Sequence, residues 1–302
     1  MSFNHVAIIG LGLLGGSIGL AVKEHLPEVM TTGYDADPLV RERARERGLA
    51  GTIADDPVEA VRGADLVILC VPVGAMEAAA TAIAPGLEPD AVVSDVGSSK
   101  ISVSQSLARA LPEHVIIPAH PVAGTEQSGP DAGFASLFHH RWCIITPPES
   151  APTDKVEALT AFWRGLGSTV EIMDADHHDR VLAVTSHIPH LIAYTIVGTA
   201  SDLEEVTRSE VIKYSAGGFR DFTRIAASDP VMWRDVFLNN RDAVLDMLDR
   251  FLTDLAMMRE AIKAGDGETM FDQFSKTRAI RRRIIEHGQD DARPDFGRHD
   301  HD

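Results

Sequence analysis

The sequence predicts an α/β fold in which a doubly wound parallel sheet is followed by an all-α domain. A glycine-rich turn with G-x-G-x-x-G spacing lies between a short apolar run and a helix within residues 5–20. Apolar, strand-like runs then alternate with helix-like segments as far as Met173. After Met173 the remaining periodic segments are long and helical. We therefore expect two domains, residues 1–174 and 175–288, and a polar, disordered tail over 289–302.

The glycine-rich turn organises the first part of the chain. Val6–Ile9 has the length of a buried strand, and three glycines follow it at once: Gly10, Gly12 and Gly15. The first glycine allows a tight turn, the second lets the backbone approach a pyrophosphate, and the third lets helix pack on strand. The helix begins at Leu13 and Leu14, and its N-terminal N–H groups can bind phosphate. The pattern predicts a Rossmann-type dinucleotide site, against the alternative of a glycine-rich turn in an ordinary α/β protein.

A second strand-like run, Val29–Tyr34, ends at Asp35. An acidic residue at this distance accepts hydrogen bonds from the adenosine ribose and repels a 2′-phosphate, so the sequence favours NAD over NADP. Val71 and Pro72 follow the next apolar run and are expected beside the cofactor. Two nearby arginines are expected on a solvated helix face, Arg41 and Arg43.

Further strands of the same sheet are expected at Leu66–Val71, Ala91–Ser94, Val115–Ala119, Trp142–Thr146 and Thr169–Met173. The helices of this half are expected at Pro38–Arg47, Val73–Ile83, Ser102–Leu111 and Asp154–Leu166. Ligands of a doubly wound sheet bind outside the carboxyl ends of its strands. Polar side chains at those ends are therefore the candidate functional residues.

Two such side chains are His120 and Ser98. His120 directly follows the run Val115–Ala119, and a neutral imidazole beside a dinucleotide can take the proton of an alcohol as hydride leaves carbon. The alternative is a structural histidine. Ser98 lies in the turn Gly97–Lys100 at another strand end, beside the expected nicotinamide position; capping of the following helix is the alternative.

Composition limits the class of protein. With 28 Lys and Arg against 45 Asp and Glu, the net charge of −17 argues against nucleic acid and anionic membranes as partners. Any anion site must then carry its own local positive charge. We see no apolar run near the ~20 residues of a membrane span and no signal peptide, so a cytoplasmic protein is expected. Both cysteines, Cys70 and Cys143, lie in apolar runs and are expected as buried free thiols.

The second half begins with a predicted helix from Asp176 to about Ser201, which contains the motif SHIPH. Pro189 removes one backbone hydrogen bond and should kink this helix. His187 and His190 are three residues apart and share a face. A metal site would need a third ligand nearby, so no metal is predicted, and one histidine is expected to point into the cleft.

A second motif is GGFRDFTR at residues 217–224. It contains two arginines, Arg220 and Arg224, among aromatic and small residues. An arginine in this setting suits bidentate binding of a carboxylate, and the alternative is that each arginine lies on a solvated surface. Asp229 and Pro230 start a helix predicted to run unbroken to Lys263, about 50 Å, and a final helix is expected over Glu268–His287. The first of these helices carries apolar residues along most of its length, which predicts a homodimer. The alternative is that the helix at 176–201 and the final helix cover these residues within one chain.

Five motifs together resemble the prephenate and arogenate (cyclohexadienyl) dehydrogenases: GLGLLGGSIG, GSSK, HPVAGTEQSGP, SHIPH and GGFRDFTRIAASDPVMW. They occur in order over about residues 5–287. The resemblance implies an NAD-dependent oxidative decarboxylation in tyrosine biosynthesis, of prephenate to 4-hydroxyphenylpyruvate or of arogenate to tyrosine. It also implies that the second, helical domain binds the substrate and forms a dimer.

The resemblance implies roles for individual residues. His120 matches the catalytic histidine that accepts the proton of the ring hydroxyl, and Ser98 matches the serine that orients that hydroxyl and the nicotinamide. His190 matches a substrate contact with His187 close by, and Arg224 matches the arginine that binds a substrate carboxylate. Two acidic residues match positions at the pocket entrance, Glu126 and Asp221.

Two other functions stay open at this point. A dehydrogenase of the 3-hydroxyacid or 6-phosphogluconate type also places a helical domain after a Rossmann domain. Those enzymes use a lysine on the long helix, and the sequence from Asp176 to Ser201 contains none. The second alternative is an NAD-binding regulator without turnover, against which the set His120, Ser98 and Arg224 argues.

Overall fold

The structure, a computed structural model, describes residues 3–125, 127–207 and 217–286. The predicted tail over 289–302 lies outside the described residues. The chain divides into two compact units, Met1–Met247 and Leu248–Asp302. The first unit therefore contains both the sheets and the helices up to residue 247, and the predicted domain boundary after residue 174 stays a prediction.

The larger sheet is the predicted parallel, doubly wound sheet. Its strands are β1 (His5–Ile9), β2 (Met30–Tyr34), β3 (Thr52–Ile53), β4 (Leu66–Leu69), β5 (Val92–Asp95) and β6 (Val115–Ile116), in the order β3-β2-β1-β4-β5-β6. The helices that follow its strands are α1 (Leu13–His25), α2 (Pro38–Arg47), α3 (Pro57–Val61), α4 (Met76–Ile83) and α5 (Ile101–Ala110). The short elements β3 and α3 were not predicted.

Strand β1 shows how the core is built. Val6 and Ile8 pack into an apolar cluster on one face of the sheet, whereas Ala7 and Ile9 pack into a second cluster on the other face. Successive side chains of a strand point to opposite faces, so a strand covered on both sides is apolar throughout. This explains why the sequence showed continuous apolar runs rather than alternation.

The prediction that all later runs join the same sheet is wrong. A separate sheet contains β7 (Ala119–Pro121), β8 (Trp142–Ile145) and β9 (Thr169–Ile172), with β7 antiparallel to β8. Helix α6 (Thr153–Gly165) joins β8 to β9. Pro118, which has no N–H to donate, lies between β6 and β7, and the chain changes sheets there.

The helical part begins with α7 (Ala175–Leu182), a π-helical turn (Ala183–His187) and α8 (Ile188–Thr207). The predicted single helix is therefore interrupted. The π turn ends two residues before Pro189, whose missing N–H and bulky ring disturb the preceding turn. By length and apolar composition alone, Ala175–Asp202 could span a membrane, contrary to expectation. A core helix of a soluble protein passes the same test, and this segment carries buried polar side chains, described below.

The remaining helices are α9 (Gly217–Thr223), α10 (Pro230–Asn239), α11 (Arg241–Ala264) and α12 (Gly267–Glu286). The prediction of one unbroken helix from Pro230 to Lys263 is wrong, because the chain leaves helical geometry at Asn240 (φ −117°, ψ 32°). The Asn240 side chain is buried and donates to a backbone carbonyl of α7, a tertiary contact that local periodicity does not report.

Candidate active site

The glycine-rich turn has the geometry that a dinucleotide requires. Gly10 has φ +100°, and a Cβ there would lie 2.5 Å from the carbonyl oxygen of Cys70. A Cβ at Gly15 would lie 1.9 Å from the carbonyl oxygen of Gly10, so α1 is pressed against the turn. A Cβ at Gly12 would meet nothing within 4 Å, and no side chain caps the start of α1. The backbone of the turn therefore faces open space with its N–H groups at a helix N-terminus, which fits a pyrophosphate.

The other predicted cofactor residues surround this turn. The Asp35 carboxylate accepts a hydrogen bond from the Leu11 N–H at 2.8 Å, so it braces the turn while standing at the end of β2. Leu13 and Leu14 open α1 and are half-buried against the core. Val71 and Pro72 follow β4; Val71 is half-buried and lies next to Gly10, whereas Pro72 is exposed.

The expectation that Arg41 is solvated is wrong. Its side chain is 14% exposed, its Nη1 donates to the backbone carbonyl of Asp35 at 2.7 Å, and its guanidinium lies over the Tyr34 ring. Arg43 is more exposed and forms an ion pair with Asp131. Arg41 thus helps to fix the strand end that carries Asp35.

The expectation that His120 follows a strand of the parallel sheet is wrong, because the chain changes sheets before it. His120 lies within β7 of the second sheet and is 7% exposed. The residue before it, Ala119, is held at both backbone groups by a buried ion pair: its N–H donates to Asp95 at 3.3 Å, and its carbonyl accepts from Lys100 Nζ at 2.7 Å. Lys100 and Asp95 are themselves 2.5 Å apart and fully buried. Asp95 ends β5, so this pair fixes His120 relative to the carboxyl end of the parallel sheet. Ser98, half-buried, lies in the turn between Asp95 and Lys100.

The His120 ring has a histidine neighbour that was not predicted. His120 Nδ1 lies 2.8 Å from His178 Nε2, and His178 Nδ1 lies 2.8 Å from Asp179 Oδ1. The Asp179 carboxylate also accepts the backbone N–H groups of Lys100 (2.7 Å) and Ile101 (3.0 Å) at the start of α5. Both His178 and Asp179 are buried. In the sequence, the only signal was an adjacent His-Asp pair on a predicted helix.

Electrostatics keeps the His120 ring neutral. Burial lowers the pKa of His120 well below 6.5, and the nearby His178, Lys100 and His187 lower it further. Burial likewise lowers the pKa of His178, against the opposing effect of the hydrogen bond to Asp179. A neutral imidazole at physiological pH is the form that can accept a proton.

The two histidines of SHIPH have different surroundings. His187 is fully buried, and its Nδ1 lies 3.1 Å from the Asn240 amide nitrogen. His190 is half-buried and stacks on the Trp233 ring at 3.6 Å between centroids. Burial lowers the pKa of His190, and the charge of Arg224 lowers it further, which places Arg224 near this histidine.

Arg224 is exposed and begins the turn that follows α9, and Asp221 lies in α9, half-buried. The Tyr194 hydroxyl donates to the carbonyl of Ser228 at 2.7 Å and so ties this region to α8. Glu126 lies outside the described residues. Among the described residues, no group of three potential metal ligands occurs.

Comparisons with known proteins identify the family of this chain. The nucleotide-binding domain of prephenate dehydrogenase matches residues 18–172, and its dimerization domain matches residues 174–276. A cyclohexadienyl dehydrogenase of Zymomonas mobilis is 46% identical over 92% of this chain and 95% of its own length. A prephenate dehydrogenase of Bacillus subtilis is 33% identical over 91% of this chain and 75% of its own length.

Among solved structures, prephenate dehydrogenase from Aquifex aeolicus, in complex with hydroxyphenyl propionate and NAD+, is 30% identical with a TM-score of 0.87. That match covers 94% of this chain and 99% of the other. Arogenate dehydrogenase from Synechocystis shares the fold, with a TM-score of 0.78 over 93% of this chain and 99% of its own, at 22% identity. The two family models match most of the chain, and the Zymomonas mobilis relative is 46% identical over 92% of it, so the chain belongs to the prephenate dehydrogenase family.

Proposed function

We propose that this protein catalyses the NAD-dependent oxidative decarboxylation of prephenate, arogenate or both, in tyrosine biosynthesis. The observation that carries the proposal is His120: a buried histidine with a lowered pKa, fixed at the carboxyl end of the sheet that bears the glycine-rich turn. Membership of the prephenate dehydrogenase family supports the reaction class and argues against the 3-hydroxyacid and 6-phosphogluconate alternative.

The cofactor proposed is NAD. Gly10, Gly12 and Gly15 would hold its pyrophosphate at the start of α1, with Leu13 and Leu14 contributing backbone N–H groups. Asp35 would accept the ribose hydroxyls and disfavour a 2′-phosphate. When bound, NAD supplies the hydride acceptor.

The chain's own residues then orient the substrate and move one proton. His120 accepts the proton of the ring hydroxyl, and Ser98, in the turn after β5, orients that hydroxyl. The ring loses its carboxylate as carbon dioxide, and aromatisation drives the reaction forward. Because the chemistry is driven by the substrate, the protein's task is mainly positioning.

The far end of the substrate is assigned to the SHIPH and GGFRDFTR motifs. His190, held flat against Trp233, would contact the substrate, with His187 behind it. Arg224, near His190, would bind the side-chain carboxylate and supply the local positive charge that an acidic protein needs around an anion. Asp221 and Glu126 are proposed at the entrance.

We also propose that the protein is a cytoplasmic homodimer. In the second unit, several large apolar side chains of α11 and α12 are about half exposed or more, namely Leu252, Leu255, Met257, Ile262, Phe271, Phe274 and Ile280. Apolar exposure on this scale is typical of a surface that another protein covers. The match to the family's dimerization domain indicates a second copy as the partner.

Mixing the protein with NAD and either prephenate or arogenate, and following NADH absorbance, tests the function. His120→Asn should bind NAD normally but lose turnover by ~10²–10⁴-fold, the usual range for loss of a general base. The exposed His177 provides the matched control, and His177→Asn should keep wild-type turnover. Oxidation of neither substrate, with NAD bound, would favour a regulator without turnover.

A further inference from the structure

The contacts of His120 fix which of its nitrogens carries a proton. The Asp179 carboxylate, which accepts two backbone N–H groups at the start of α5, can only accept from His178 Nδ1 at 2.8 Å. His178 therefore carries its proton on Nδ1. In its neutral form, His178 Nε2 can then only accept, and the atom within reach at 2.8 Å is His120 Nδ1.

From this chain of donors and acceptors we propose that His178 and Asp179 are positioning residues that hold His120 with its proton on Nδ1, leaving Nε2 as the catalytic base. The inference rests on the proposed function, because it assigns the atom that takes the hydroxyl proton. It adds two residues that no sequence motif indicated.

The same contacts provide a path for the positive charge formed in the reaction. When His120 Nε2 takes the hydroxyl proton, the proton on His120 Nδ1 can pass to His178 Nε2. The imidazolium then lies on His178, directly against the Asp179 carboxylate, and no bond other than these N–H bonds is made or broken. A carboxylate in this position stabilises the protonated ring and keeps the base in the correct tautomer.

The surrounding charges agree with a neutral resting state. Burial and the charge of Lys100 disfavour a proton on His120, and a proton on either neighbouring ring, His178 or His187, would disfavour it further. His178 faces Asp179, Lys100 and Asp95, and burial is the largest influence on its ring. Both rings are thus expected to be neutral at pH 7, which is what the donor and acceptor assignment requires.

The tautomer can be measured directly by ¹⁵N NMR on protein labelled at histidine, without substrate, using the two-bond couplings of the ring nitrogens. The His120 signals are assigned by their loss in His120→Asn. We expect the Nδ1–H tautomer for both His120 and His178, and a loss of this preference in Asp179→Leu, whose side chain has no acceptor. An Nε2–H tautomer of His120 in the wild-type protein, or an unchanged preference in Asp179→Leu, would overturn the proposal.

Kinetics of two substitutions at His178 separate positioning from packing. A glutamine can donate to Asp179 and accept from His120 through one amide, whereas a phenylalanine fills the space and does neither. We expect kcat to fall by ~10²–10⁴-fold in His178→Phe and to recover at least ~10-fold in His178→Gln, with both KM values within ~3-fold of wild type. The exposed neighbour gives the control, His177→Gln, which should behave as wild type.

A wild-type kcat in His178→Phe, or no recovery in His178→Gln, would contradict the assignment. The NMR measurement uses the wild-type protein, so it decides the tautomer even where a variant fails to fold. It also needs no substrate. If the proposed function is wrong, the wild-type enzyme will form no NADH. If this inference is wrong, wild-type His120 will show the Nε2–H tautomer.

Discussion

Protonation of His187 should couple the stability of this protein to pH. His187 is fully buried, and burial lowers its pKa from 6.5 to about 4. The folded state then binds fewer protons than the unfolded state between these two values, so the free energy of unfolding falls as the pH falls through this window. A difference of about 2.5 pKa units at ~1.36 kcal/mol each gives a loss of about 3 kcal/mol by pH 4.

The variant His187→Asn isolates this contribution. An asparagine oxygen can replace Nδ1 as the atom facing the Asn240 amide, but it does not titrate. In urea unfolding at one fixed protein concentration, lowering the pH from about 7.5 to 5 should lower the free energy of unfolding of wild type by about 2 kcal/mol relative to that of the variant. The exposed His177→Asn is the control and should follow the wild-type curve. Parallel pH dependences of wild type and His187→Asn would refute the reasoning.

Four further predictions concern the site and the exposed apolar surface. Because the pKa of His120 lies well below 6.5, kcat should stay constant from about pH 8 to below pH 6.5. A fall in kcat with an apparent pKa at or above 6.5 would contradict this. Asp35→Ser should narrow the preference for NAD over NADP in kcat/KM by removing a charge that repels the 2′-phosphate; a wild-type preference for NADP would show that Asp35 does not have this role. Arg224→Ala should raise the substrate KM by roughly 10- to 100-fold through loss of a charge-assisted hydrogen bond. The control is Arg180→Ala on α7, an exposed arginine paired with Asp176, which should leave the KM unchanged. Leu255→Asp should lower the mass found by sedimentation equilibrium from a dimer toward the 32.6 kDa protomer, since it places a charge in the proposed interface; a wild-type mass already near the protomer would rule the dimer out.

Local sequence chemistry was sufficient for the nucleotide-binding turn. Gly10 needs a positive φ, Gly15 needs contact with backbone, and both demands are met only by glycine, so the requirement is visible in the sequence itself. The same holds for the helix start at Pro230, where Asp229 accepts the N–H groups of Val231 and Met232 as an N-cap. Short-range hydrogen bonds and steric limits act between residues that are close in sequence, so they can be inferred from the sequence alone.

Elements fixed by distant contacts were predicted less well. The run at Val115–Ala119 has the composition of one strand, yet Pro118 divides it between two sheets. The helix beyond Pro230 has an uninterrupted apolar pattern, yet it breaks at Asn240, whose amide bonds to a carbonyl 61 residues away. Periodicity reports which face of an element is apolar, but it does not report which other element competes for its polar groups.

The candidate site divides in the same way. The sequence determined the nucleotide-binding turn and the acidic residue Asp35, because each follows a strand and carries its own chemistry. It indicated His120 as a candidate base from its imidazole and its place after an apolar run, although the structure places His120 within β7. Only the tertiary structure placed His178 against His120, 58 residues apart in sequence, and Asp179 at the start of α5. A hydrogen bond depends on distance and direction in space, and folding alone brings these three side chains within 2.8 Å of their neighbours.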